Sequence, residues 1–437
     1  MLSSYHIIIG ASLIIIMSYI INIVSKKTNI PSVLMLILLG IFIKFGLNTT
    51  GIPDIDLSMF LEIIGTIGLI MIVLEASLDL ELRRDRIWLI IKALLIAIFG
   101  IGGTSMLFAV VLKSVLSIDL FNALLFAIPL SVLSSAIIIP SVQNLKEEKK
   151  EFLIYESTFS DIIGIMFFYF LLGSVDVESA REVGLSISFN VFGTIVISFV
   201  MSYALIILFE SLSSNIKLFL LIAVLVMIYA IGKTFHMSSL LMILIFGLVL
   251  NNKEIFFRGP FKKFLKEKEM ASILDNFKVI TGETAFVVRT FFFVIFGLSI
   301  SLMSLISIRV WVITLLVVVA IYSVRWVLLR IFFGKDIKPQ LFIAPRGLIT
   351  ILLIFAIPKE YLVPEFEEGI LLFTIIVTGG IMTWALIKNS KEEKLLLEAE
   401  QNKQTENTEL ETEQSEQITD NTKTEIKEEN TNNEQEN

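Results

Sequence analysis

About thirteen apolar runs, most of them close to 20 residues long, leave this chain few folds to choose from. A helix of that length spans the hydrocarbon of a bilayer, and it satisfies its backbone groups internally where no water can. The runs lie at about 5–24, 31–48, 59–79, 87–112, 119–142, 152–173, 188–209, 216–232, 238–251, 281–303, 307–330, 340–357 and 366–388. A mean hydropathy of +0.84, with 55% hydrophobic residues and 35 Phe among 437 residues, exceeds what a water-soluble domain carries. The fold class read from this pattern is an all-α membrane protein. The first run, Tyr5–Val24, is too long for the apolar core of a typical signal peptide and lacks a small-x-small cleavage site, so it reads as the first span.

Basic residues alternate between loops. Lys26–Lys27, Arg83–Arg84–Arg86, Lys146–Lys149–Lys150, Lys217, the Lys253–Lys268 cluster, Arg330–Lys335–Lys338 and Lys388–Lys391–Lys394 fall on one side. The other side has isolated charges only: Lys44, Lys113, Arg181, Lys233, Arg309 and Lys359. The positive-inside rule puts the rich set in the cytoplasm, with the N-terminus outside and the C-terminus inside a cytoplasmic membrane. That result requires an odd number of spans, which agrees with the hydropathy reading. The same bias accounts for the Lys253–Lys268 cluster as well as an anionic-lipid patch would. From about residue 389 the chain turns to Glu, Gln, Asn, Thr and Lys without Phe, Trp or Gly, and reads as a disordered acidic tail after a short helical start at Glu392–Glu400. That tail holds much of the acid behind the net charge of -7.

Thirteen spans divide as six, one and six, and the odd linker makes the second six enter from the opposite face. Inverted repeats of this kind are characteristic of secondary transporters. In this division the fifth and twelfth spans correspond, and both carry prolines: Pro129 and Pro140, then Pro345 and Pro358. Ser131, Ser134 and Ser135 lie between the first two, and Gly347 and Thr350 beside the second pair. Proline removes a backbone donor and strains a helix. Helices interrupted at matching places in two halves point to an ion site near the bilayer midplane.

Ionisable groups inside spans are rare, because each costs roughly 2.5–3.5 kcal/mol on insertion scales. Asp161 lies nine residues into the sixth run, about 13 Å deep at roughly 1.5 Å per residue, and so near mid-membrane. Ser157 precedes it by four residues on the same helix face, and a carboxylate beside a hydroxyl is a hard-oxygen site for a proton or a small cation. Glu156 stands about 140° around the helix from Asp161 and needs another partner. Arg289, Arg325 and Arg346 are the three arginines within reach of that role, and each alternatively snorkels to the surface. Glu75 precedes Asp79 and Glu81 and reads either as interfacial or as part of the site.

Other chemistries find no support. There is no cysteine, and only two histidines, His6 and His236, so thiolate and histidine-rich metal sites are excluded. No phosphate-binding loop, nucleophile elbow, HExxH or dinucleotide fingerprint is present, which argues against an enzyme, against ATP-driven transport and against any cofactor.

Four motifs in order resemble the monovalent cation/proton antiporter (sodium/proton exchanger) family. Glu156-Ser157-Thr158-Phe159-Ser160-Asp161 resembles its Glu-Ser-x-x-Asn-Asp signature, and Phe291–Leu298 its Phe-Phe-x-x-x-Gly-Leu span. Ala344-Pro345-Arg346-Gly347 resembles its Gly-Pro-Arg-Gly helix start. Leu133-Ser134-Ser135-Ala136 resembles the Leu-Ser-Ser-Thr-Ala crossing of the potassium-efflux branch. The resemblance covers about 1–388 and implies two inverted six-helix repeats with crossed broken helices. About 87–173 and 307–388 form a core part, about 1–79 and 216–303 a homodimerisation part, and 188–209 a linker helix. It further implies a cation and proton site at Asp161 with Ser157, Ser160, Glu75, Ser134 and Ser135, a Glu156–Arg325 ion pair, and a broken-helix region at Pro345, Arg346 and Gly347. Two departures stand out. The family Asn is Ser160 here, and the Thr-Asp-Pro often found at the fifth-span crossing is Ser135-Ala136-Ile137, which removes one acid.

The expected function is exchange of one monovalent cation for one proton by competition at Asp161, with Na+ as the first expectation and K+ or Li+ as alternatives. The expected partners are these ions, membrane lipid and a second copy of the chain, not nucleic acid. A potassium-efflux K+/H+ antiporter and a non-transporting sensor or scaffold that works through its tail are the rival readings. Deletion of residues 395–437 separates the last from the others: exchange in proteoliposomes persists if the span region is an antiporter, whereas a scaffold loses its role.

Overall fold

A computed structural model describes residues 4–28, 30–49, 58–80, 82, 84–173, 193–194, 196–204, 217–234, 239–256, 267–299, 307–363, 366–367 and 369–392. The principal helices are α1 (Ser4–Thr28), α2 (Ser32–Thr49), α3 (Ser58–Asp79), α4 (Ile87–Leu116), α5 (Leu120–Ser131), α6 (Ser135–Ser141) and α7 (Glu147–Leu172). They continue with α8 (196–204), α9 (Lys217–Thr234), α10 (Ser239–Asn251), α11 (Glu267–Ser299), α12 (Ile308–Phe333), α13 (Leu348–Phe355) and α14 (Gly369–Glu392). Among the described residues there is no strand, and seven apolar stretches are long enough to cross a bilayer, α5 and α6 counting together as one. The chain is an all-α, multi-pass membrane protein.

The apolar runs and the helices coincide with three instructive exceptions. The sixth span starts at Glu147 rather than near 152, because Glu147 and Glu148 sit in the first turn, where negative charge complements the helix dipole. The tenth span starts at Glu267, well before the apolar run, since neither proline nor glycine interrupts the polar stretch that leads into it. The twelfth run, read as beginning near 340, is helical only from Leu348: a single 3-10 turn at Gln340–Phe342 is followed by non-helical residues 343–347. The ends of the linker span, the middle of the Lys253–Lys268 loop, His236 and the acidic tail beyond residue 392 lie outside the described residues.

The chain comprises two compact units, Met1–Thr383 and Trp384–Asn437. In the second, the Lys388 ammonium lies 5.5 Å from the Trp384 ring centre. In the first, the helices sort into two packing groups. α2, α3, α10 and α11 pack on one another, with α1 and α9 against them, while α4, α5, α6, α7, α12 and α13 form the other. The first group is drawn close by glycine. A Cβ at Gly40 of α2 would collide with the Val294 carbonyl of α11, and one at Gly297 with the Ile37 carbonyl of α2, so the two backbones touch where neither residue has a side chain. Phe292, Phe293 and Phe296 are buried beside this seam. In the second group, a Cβ at Gly164 of α7 would meet the Val132 side chain at the break in the fifth span.

The seam makes a direct prediction. Gly40→Ala and Gly297→Ala should each destabilise the purified protein by about 1–3 kcal/mol, the usual cost of overpacking. Gly102→Ala on α4, where a Cβ would meet nothing within 4 Å, should leave the melting temperature in detergent unchanged.

Candidate functional site

A helix that stops inside a bilayer strands its last carbonyls and the next helix strands its first amides. α5 ends at Ser131 and α6 begins at Ser135, so Val132–Ser134 form such a gap, and residues 343–347 before α13 form another. The two gaps cross. The Ser134 amide donates to the Pro345 carbonyl at 3.0 Å, joining them directly. A Cβ at Gly347 would run into the Ser134 hydroxyl and the Ile137 side chain, so this close crossing requires glycine.

Side chains take up the remaining backbone groups. Arg346, 2% exposed, donates through Nε to the Leu130 carbonyl in the last turn of α5 at 2.8 Å, and through Nη1 to Ala344 at 3.2 Å. A cation at a helix C-terminus is stabilised by the helix dipole. The Ser160 hydroxyl of α7 accepts the Leu133 amide at 2.9 Å. The Arg346 amide donates to the Thr378 hydroxyl of α14 at 3.1 Å, and that hydroxyl donates to the Thr374 carbonyl at 2.6 Å.

Asp161 meets the other side of the gap. Its Oδ2 accepts the Ser135 amide, the first of α6, at 3.2 Å, and also the Ser135 hydroxyl. The carboxylate therefore lies against the positive end of α6. Its Oδ1 is buried and has no hydrogen-bond partner among the described residues, and the same holds for the Ser134 hydroxyl. Asp161 is 5% exposed and Ser134 2%.

Glu156 has a different setting. Its two carboxylate oxygens accept two parallel hydrogen bonds from the Arg325 guanidinium, the longer at 2.8 Å. Arg325 Nε donates to the Gln340 carbonyl at 3.0 Å, so one guanidinium ties α7, α12 and the approach to α13 together. Of the three arginines the sequence offers, this is the one Glu156 meets. Arg289 pairs with Glu75 instead, at 3.0 Å.

The sequence-derived set is thus only partly gathered. Asp161, Ser135, Ser134, Ser160, Pro345, Arg346 and Gly347 converge on the crossing. Ser157 is buried, but its hydroxyl donates to the Ile154 carbonyl of its own helix at 3.2 Å. Glu75 belongs to α3, in the other packing group. Gln340 and Thr378 contribute to the arrangement without having been expected. The signal for Thr378 was present, since Thr374 and Thr378 are spaced one turn apart in an otherwise apolar run. The described residues hold no cluster of metal-binding side chains of the multi-carboxylate or histidine type.

The family model for the transmembrane sodium/hydrogen exchanger matches residues 12–388. The chain belongs to that family. This exchanger also shares its fold with two solved structures of the sodium proton antiporter MjNhaP1 from Methanocaldococcus jannaschii. One, at pH 8, has a TM-score of 0.64 at 19% identity over 87% of this chain and 95% of that one. The other, from an electron-microscopy map, has a TM-score of 0.67 at 19% identity over 91% and 98%. Comparison with the curated proteins finds no match. As an exchanger the chain is a transporter and not an enzyme, and a monovalent cation/proton antiport is the activity of its class.

The Glu156–Arg325 pair can be weighed by a double-mutant cycle on thermal unfolding of the purified exchanger. Glu156→Gln or Arg325→Gln alone leaves a buried charge unpaired, which typically costs about 3–5 kcal/mol. The double change should cost clearly less than the sum of the two. Strict additivity would show that the pair does not act as a unit.

Proposed function

We propose that Asp161 carries a monovalent cation and a proton in turn, and that Na+ is the cation. The observation that supports this is the buried Asp161 carboxylate, held by Ser135 through one oxygen while the other faces no protein donor among the described residues. One carboxylate oxygen and the nearby Ser134 hydroxyl are hard oxygen donors of the kind a small alkali cation accepts. A carboxylate that holds a proton cannot hold the cation as well, so competition at one group gives exchange.

The buried charges favour a one-for-one cycle. Among the described residues the charged side chains that are buried are Glu156, Asp161, Arg325 and Arg346. Their formal charges cancel when Asp161 is ionised and empty. Binding either a proton or a monovalent cation adds one positive charge. The two loaded forms therefore carry equal charge, and exchanging one for the other moves none across the membrane. In this reading Arg346 is the fixed counter-charge that balances Asp161, and Ser157, Ser160 and Glu75 are supporting rather than carrying groups.

Orientation follows from the basic loops: the N-terminus lies outside, the C-terminus in the cytoplasm of a cell whose cytoplasmic membrane the protein spans. α1, α2, α3, α9, α10 and α11 form the part that pairs with a second copy, and the group holding Asp161 moves against it.

Asp161→Asn should abolish sodium-driven proton movement in proteoliposomes, while Ser135→Ala retains part of it. Exchange in the wild type should be indifferent to an imposed membrane potential. Full activity of Asp161→Asn would remove the carrier role from this residue, and tests with lithium and potassium salts would identify a cation other than sodium.

A further inference from the structure

Two cations stand without an acid where α4 and α12 meet at their cytoplasmic ends. The helices run antiparallel along a glycine seam: a Cβ at Gly103 would lie 3.2 Å from the Val324 side chain, and one at Gly100 3.7 Å from Leu328. That register continues to Lys92 of α4 and Phe333 of α12, where the Lys92 ammonium lies 5.1 Å from the Phe333 ring centre. Among the described residues Lys92 makes no hydrogen bond or ion pair. Arg330 is exposed and precedes Phe333 by about one turn. Its Nη1 caps the Gly334 carbonyl at 2.9 Å, and its Nε and Nη2 meet no acceptor among the described residues. The acids at this end are engaged by other cations, Glu151 by Arg86 and Asp336 by Lys149.

Lys92 lies five residues past the start of α4, about 8 Å deep at roughly 1.5 Å per residue. Helical side chains lean towards the N-terminus, which here is the cytoplasmic end of α4, so the ammonium rises towards the headgroups while its stem stays in hydrocarbon. The surroundings face lipid. Trp88, one turn from Lys92, is 75% exposed, and Trp326, one turn from Arg330, is 52% exposed. Tryptophan settles at the headgroup level of a bilayer. Ile91 and Ile331 beside them are exposed as well. Two uncompensated cations at that depth, flanked by apolar surface, suit a phosphate that arrives with acyl chains attached. We propose that the cytoplasmic end of the α4–α12 seam binds an anionic phospholipid, with Lys92 and Arg330 on its headgroup phosphate and its chains against the exposed apolar side chains of the two helices. Lysine and arginine are both phosphate ligands. A zwitterionic lipid brings its own cation and gains less from the pair, so the site prefers a net negative headgroup. Only the leaflet is taken from the orientation inferred from the basic loops, and transport plays no part.

Quenching by brominated acyl chains reads this place directly. The four tryptophans of the chain are all exposed, so Trp311→Phe, Trp326→Phe and Trp384→Phe leave Trp88 as the one emitter without opening a core. In detergent, brominated phosphatidylglycerol should quench Trp88 at a half-saturating concentration at least threefold lower than brominated phosphatidylcholine. Adding Lys92→Gln and Arg330→Gln should bring the two lipids to the same value. Lys92→Arg keeps the charge and should keep the preference, which separates lost binding from a folding defect. Lys27→Gln removes an exposed charge on the same side of the membrane but in the other helix group, and should change nothing. Inorganic phosphate should not relieve the quenching.

Equal quenching by both lipids in the protein with Trp88 alone overturns the inference. So does a preference that survives the double change, one lost equally in Lys27→Gln, or displacement of the lipid by inorganic phosphate. Because no ion movement is measured, failure of Asp161 as the carrier would leave each of these outcomes unaltered.

Discussion

Two helices are interrupted in a medium that offers their open ends no water, and everything at the centre of this molecule answers that problem. The gaps at Val132–Ser134 and before Leu348 expose amides and carbonyls whose desolvation would otherwise cost several kcal/mol each. The chain satisfies them by letting the gaps cross. Ser134 bonds Pro345, Ser160 takes the Leu133 amide, and Arg346 takes the Leu130 carbonyl. Asp161 is part of the same accounting, for its carboxylate closes the first amide of α6. The group proposed to carry ions is thus also a structural cap, and loading it changes how well α6 is capped.

This double duty gives the departures at residues 135–137 a physical sense. A separate acid at the crossing would compete with Asp161 for the end of α6 and would need its own counter-charge. With alanine and isoleucine at 136 and 137, one carboxylate faces the α6 terminus and one arginine faces the α5 terminus. Positive and negative helix ends are each met by a single opposite charge. The Glu156–Arg325 pair supplies no net charge and serves position instead.

The membrane made much of this legible in the sequence. Because charges in lipid are rare, Asp161, Glu156 and the arginines stood out against apolar runs, and paired prolines marked the spans that break. Spacing within one helix was less informative. Ser157 is one turn from Asp161, yet its hydroxyl turns to the Ile154 carbonyl, because a helix always offers its own carbonyl three or four residues back. Residue spacing alone did not assign pairing between helices, since three arginines on three spans could face Glu156, and only the family resemblance singled out Arg325. Contact between α7 and α12, rather than any local pattern, assigns Arg325 to it and leaves Arg289 for Glu75. Proline position misled by a few residues: Pro129 and Pro140 lie within α5 and α6, and the chain opens between them.

Arg325 reaches Glu156 on one side and the Gln340 carbonyl on the other, and both contacts are buried. The C-terminal part of α12 and the turn just after it are therefore fastened to α7, the helix that also holds Asp161. A carboxylate so mounted has no freedom to swing from one membrane face to the other. On the proposal that Asp161 carries the ion, the travel that delivers it falls to this block as a whole, sliding past its neighbours while its interior geometry stays fixed.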